Sequence, residues 1–85
     1  MKLYWPCATI ATADGTQQIS TYDYCINLAQ ARQQIALWRD WYKYDIQNAW
    51  VIVYERNKKL NTIQIDPKTD EIITNKGGNR NVPQI

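Results

Sequence analysis

The chain contains no histidine and no phenylalanine, and among its 85 residues there are only three glycines, three prolines, two cysteines and one serine, Ser20. Each shortage excludes something. Histidine is the side chain that most often carries general acid–base catalysis near neutral pH, so most familiar hydrolytic mechanisms have no proton carrier here. Without histidine, Cys7 and Cys25 cannot complete a four-ligand zinc site, and two thiols are too few for a secreted disulfide scaffold. The sequence reading is of two buried thiols in a reducing cytoplasm, with a bridge between the first strand and the helix as the alternative.

Only Gly15, Gly77 and Gly78 are glycine. None stands between a strand and a helix at the spacing a phosphate-cradling loop needs, so nucleotide chemistry has no loop to use. The segment Asp66-Pro67-Lys68-Thr69-Asp70-Glu71 is rich in oxygen ligands but lacks the regular spacing and turn glycine of a calcium loop, and reads as a turn. Ser20 reads as a helix cap rather than a nucleophile. No metal, no cofactor and no catalytic activity are expected. The longest apolar run, Ala49 to Tyr54, is far shorter than the roughly 20 residues a membrane-spanning helix requires, so no membrane partner is expected.

Hydrophobic residues make up 45% of the chain and charged residues 21%, a balance that folds. The net charge of +2 is too small to demand a polyanionic partner. Residues 1–74 are expected to form a single α+β domain, and the polar stretch 75–85 a flexible tail.

Leu3 to Ala13 is rich in aromatic and β-branched residues, with Pro6 placed to suit a strand start or an edge strand. Asp14-Gly15 then predicts a tight hairpin with both central residues at positive φ, returning through Thr16 to Ser20. Ser20 or Thr21, with Asp23 behind, predicts a helix cap, and the absence of proline and glycine from Tyr22 to about Tyr44 predicts one long helix. On it Tyr24, Leu28, Ala31, Ile35, Trp38 and Tyr42 form the stripe expected to face the core, while Ile26, Leu37, Trp41 and Tyr44 lie nearly opposite. Ala49 to Arg56 predicts a strand, Asn57-Lys58-Lys59 a turn, Leu60 to Asp66 its return, and Glu71 to Thr74 a short last strand. The expected fold is therefore one long helix on an antiparallel sheet of three to five strands, in the order ββαββ.

All ten aromatic residues are tryptophan or tyrosine. Such side chains join a large apolar body to a polar tip and are enriched at interfaces. The apolar residues on the outer helix flank, Leu37, Trp41 and Tyr44, bordered by Arg32, Arg39 and Lys43, point to a surface for a protein partner or a second copy. Arg56, Lys58 and Lys59 form a second basic locus. With the helix cations and nearby aromatics they support the alternative reading, a small module that contacts phosphates and stacks on bases.

In size, single-domain layout and aromatic-rich, histidine-free composition, the whole chain loosely resembles small accessory proteins of bacteriophages and mobile elements, including anti-CRISPR inhibitors. The resemblance implies a cytoplasmic inhibitor that occupies a surface on a larger host complex and performs no chemistry. Many such inhibitors are strongly acidic nucleic-acid mimics. This chain is not acidic, so the implied mode is steric or allosteric blocking.

Overall fold

A computed structural model describes residues 1–73 of the chain. The sequence-based expectation of a flexible tail at 75–85, and the end of the last expected strand at Thr74, lie outside the described residues. The elements are β1 (Lys2–Thr12), β2 (Gly15–Ser20), α1 (Leu28–Asp40), β3 (Asp45–Glu55) and β4 (Lys58–Ile65). The four strands form one antiparallel sheet in the order β2-β1-β3-β4. The fold is α+β, a single 13-residue helix lying on a four-stranded sheet.

Strand alternation assigns the two faces. In β1, Tyr4, Pro6, Ala8 and Ile10 share a side with their β3 partners Val53, Val51, Ala49 and Ile46. This side meets the helix. The buried cluster consists of Ala8, Ala49, Val51 and Ile65 from the sheet and Ala31, Ile35 and Trp38 from α1. The spacing of Ala31, Ile35 and Trp38 by four and three residues is the helical period, so the middle of the expected core stripe is correct.

Its ends are not. The helix begins at Leu28, six residues later than its spacing and composition suggested. Asn27 is the N-cap: its side-chain oxygen accepts from the Gln30 backbone N–H at 2.8 Å, and the Gln30 Oε1 accepts in return from the Ile26 N–H at 3.1 Å. This is a capping box shifted by one residue, and it competes successfully with Ser20 because the intervening Tyr22, Tyr24, Cys25 and Ile26 are modest helix formers. Ser20 instead ends β2, and the Thr21 hydroxyl donates to the Asp23 carbonyl.

Pro6 explains the excursion between β2 and the helix. It stands in a central strand, paired with Val51 on one side. On the other side β2 pairing stops at Cys7–Ser20, and the chain rejoins the edge only where Tyr4 and Cys25 exchange backbone bonds of 2.8 and 2.7 Å. The missing N–H of Pro6 faces this gap, so no ladder bond is lost and a proline is accommodated inside a sheet. Tyr24 thereby leaves the expected core stripe and is exposed, as is Tyr42 beyond the helix's other end.

At the C-terminal end Trp41 caps the helix, and Lys43 (φ 61°) reverses the chain through the left-handed region. The Tyr44 N–H bonds back to the Trp38 carbonyl at 3.0 Å. The reversal is needed because β3 starts at Asp45, four residues earlier than expected, where it pairs with Ala11. The second hairpin turns at Arg56-Asn57, both at positive φ (53° and 65°), so Lys58 and Lys59 belong to β4 and not to the turn. In place of a fifth strand, Ile72 makes one bridge to Ile65.

The first hairpin also differs in detail. Ala13 and Asp14 are its loop residues, and only Gly15, at φ 135°, carries a positive angle. A β-carbon at Gly15 would meet nothing within 4 Å, so replacement is opposed by backbone conformation alone. Gly15→Ala is expected to cost about 1 kcal/mol and lower Tm by roughly 4 to 8 °C, measurable by thermal denaturation. An unchanged Tm would show that the turn relaxes freely.

Candidate functional site

The basic line expected along the helix is largely committed to holding the fold. Arg39 sits in the last turn of α1 with its side chain only 25% exposed. Its Nη1 donates to Asp70 Oδ1 at 2.6 Å and to the carbonyls of Pro67 and Lys68 at 3.2 and 3.0 Å, and its Nη2 reaches Asp70 Oδ2 at 3.1 Å. The same guanidinium grips Asp40 through Nε at 2.8 Å and Nη2 at 2.7 Å. These bonds hold the arginine charged and press the Asp40 carboxyl below the usual carboxylate range. Arg32 donates from Nε to the Asp70 carbonyl. Asp70 stands at φ 65°, and the 66–71 turn closes through its own backbone bonds, Asp70 N–H to Asp66 O and Asp66 N–H to Glu71 O. Arg32 and Arg39 thus staple this turn to the helix, a role that spacing along the helix does not reveal because the acceptors are about thirty residues away in sequence.

Leu37, Trp41 and Tyr44 are exposed, at 41%, 76% and 38%. They do not form one helical stripe. Leu37 and Trp41 border a shallow depression with Gln33, Ala36 and Asp40. Tyr44 lies past the helix end, its ring stacked on that of Tyr42 with centroids 5.6 Å apart. Ile26 precedes the helix. Lys43 is exposed on the reversing loop. Arg56, Lys58 and Lys59 cluster along the chain at the second hairpin, but Lys58, opposite Glu55, and Lys59, opposite Tyr54, lie on different faces of the sheet; none of the three forms an ion pair among the described residues.

The larger apolar surface is on the sheet. Only one face meets α1. On the other, Leu3, Trp5 and Cys7 of β1 stand opposite Tyr54, Ile52 and Trp50 of β3. Gln18 and Ser20 flank them from β2, and Lys59, Thr62 and Gln64 from β4. Leu3, Trp5, Cys7, Ile52 and Tyr54 line a depression of about 490 Å³, walled by Tyr24 and closed at one end by Asn57. The Tyr24 and Trp5 rings approach to 6.1 Å. No side chain in this lining is charged. Sequence reasoning identified the shared side of Trp50, Ile52 and Tyr54 but not its continuation through Leu3 and Trp5. The signal was there in the period-two spacing of Leu3, Trp5 and Cys7; the pairing of β1 with β3 is what joins the two sets.

Cys7 lies on this open face but is buried among its neighbours, whereas Cys25 pairs with Tyr4 on the helix side. The two thiols are free, and with the sheet between them they are not placed to bridge. Burial raises both thiols above their ordinary values, which makes them poor nucleophiles at neutral pH. Among the described residues no three acidic or thiol side chains gather into a metal site, and no helix is long and apolar enough to cross a membrane. Comparison with protein-family models, with curated proteins and with solved structures finds no match to this chain.

Proposed function

We propose that this chain is a non-catalytic protein-interaction module whose main contact surface is the sheet face opposite the helix. One observation carries the reading: the depression centred on Trp5 and Ile52 is aromatic, has no charged side chain in its lining and is not covered by the helix, and its border is neutral and polar except at the hairpin end, where Lys59 stands beside Tyr54. An apolar centre inside a polar rim is the composition of a protein contact. Leu37 and Trp41 offer a second, smaller contact at the helix end. In the inhibitor version of this reading, suggested by the resemblance to small phage and mobile-element proteins, the face occupies a surface on a larger complex.

Trp5→Lys should abolish retention of protein partners from native-host lysate, while Trp41→Asp should weaken it by less than about tenfold, with folding of both variants checked by circular dichroism. Retention that is unchanged by Trp5→Lys but lost with Trp41→Asp would move the contact surface to the helix end.

Arg56 and Lys59, which form no ion pair among the described residues, favour a second reading, nucleic-acid contact at the Asn57 end of the same face, with Lys58 on the opposite side of the hairpin. Two phosphate contacts predict a log–log salt slope of roughly −1.4 to −1.8. With Arg32 and Arg39 already engaged, the helix adds little to that footprint.

A further inference from the structure

Resting on the interaction-module reading, we infer that the partner is bound as an added strand: an extended, uncharged segment of another protein pairs with the outer edge of β2 and lays apolar side chains on the open face.

The hydrogen-bond direction at this edge follows from one pair. Tyr4 and Cys25 exchange both backbone bonds, so Tyr4 turns its N–H and C=O toward the β2 side of β1. The extra residue where β1 meets β3 lies in β3, between Ile46 and Asn48, so β1 alternates without interruption and Ala8, Ile10 and Thr12 face the same way. Their β2 partners are Ile19, Gln17 and Gly15. The backbone groups of Thr16, Gln18 and Ser20 therefore point outward, and no described residue pairs with them.

The two sheet edges are treated differently. β4 opens with Lys58 and Lys59, and its far end is occupied by the chain itself, through the Ile65–Ile72 bridge and the Ile73 N–H bond to the Gln64 carbonyl at 2.9 Å. Charge and covering backbone are ordinary protections of an edge. β2, Gly15-Thr16-Gln17-Gln18-Ile19-Ser20, has neither charge nor proline.

Geometry then specifies the occupant's chemistry. Residues hydrogen-bonded to Thr16, Gln18 and Ser20 put their side chains on the face those residues share, the open face. There Gln18 and Ser20 border the neutral depression floored by Trp5 and Cys7. Large apolar side chains at alternate positions fit; charged ones would be desolvated without a partner. A second copy of β2 would bring only Thr16, Gln18 and Ser20 to the same place, leaving the depression unfilled, which argues for a different chain.

The test uses a blocked peptide of about ten residues alternating threonine with leucine, and a control with glutamate for leucine, titrated to about 2 mM and followed by amide NMR. Saturable shifts and at least about tenfold slower exchange at Thr16, Gln18 and Ser20, with the leucine peptide only, are expected. Gln18→Pro removes one outward N–H without touching the β1 ladder and should weaken binding at least about tenfold. Gln17→Pro, which removes an inward bond, should instead disrupt the hairpin.

No perturbation of the wild-type chain by the leucine peptide, or equal binding by the Gln18→Pro chain, overturns strand addition. Binding that survives Gln18→Pro but is lost with Trp5→Lys would leave the interaction face standing without the strand. Concentration-dependent protection of the same three amides with no peptide present would assign the edge to a second copy and overturn the proposed occupant.

Discussion

Trp38→Ala is expected to lower folding stability by about 3 to 5 kcal/mol, the usual cost of deleting a buried tryptophan, and to leave a chain of this size close to unfolded. Trp38 is 6% exposed and completes the seam that Ala31 and Ile35 begin against Ala8, Ala49 and Val51. Its backbone carbonyl also receives the Tyr44 N–H that turns the chain into β3. The comparison with Trp41→Ala is informative, since Trp41 is three residues further along and 76% exposed. That variant should stay within about 0.5 kcal/mol of wild type. Urea denaturation followed by far-ultraviolet circular dichroism measures both. Equal losses for the two variants would contradict the placement of the helix on the sheet.

Arg39→Met is expected to cost about 2 kcal/mol, because it keeps the aliphatic stem but removes charge-assisted bonds to Asp70 and to two backbone carbonyls of the 66–71 turn. Arg39→Lys should recover little, since an ammonium cannot reproduce the fork that spans Asp40 and Asp70 together. Amide exchange in the turn should accelerate more than exchange in β1. Uniform acceleration would mean that Arg39 acts on the global fold and not on the turn.

The same cluster predicts an acid dependence. Hydrogen bonds from Arg39, aided by its charge and that of Lys43, depress the Asp40 carboxyl in the folded chain. A depressed carboxyl contributes stability above its unfolded value, and that contribution is lost as pH falls through the folded value, below about pH 4. Asp40→Asn should flatten this part of the acid limb. A limb identical to wild type would show that the Asp40 contact is not formed in solution.

Much of the architecture was legible because local patterning and global fold agree. The alternation of Val51 and Val53 against Trp50, Ile52 and Tyr54 announces a strand with two apolar sides, and the Ala31, Ile35, Trp38 spacing announces a helix on a core. Boundaries were less legible. No proline or glycine interrupts Tyr22 to Tyr44, yet the helix occupies 13 residues of it, because the modest helix formers before Asn27 yield as Cys25 is drawn to the Tyr4 edge at one end and Asp45 to Ala11 at the other. Tertiary hydrogen bonding outweighs propensities of a few tenths of a kcal/mol per residue.

The candidate site shows the same division. Sequence alone determined that aromatic bulk exceeds what one small core can cover, that histidine chemistry is absent and that Leu37 lies on the helix flank away from the core, since these depend on composition and local period; Tyr44 is exposed for a different reason, because the helix ends before it. Which arginines are free and which apolar face lies open were decided only by the folded chain. Both depend on partners remote in sequence: Asp70 reaching back to Arg39, and β1 aligning Trp5 beside Ile52 across nearly fifty residues of chain.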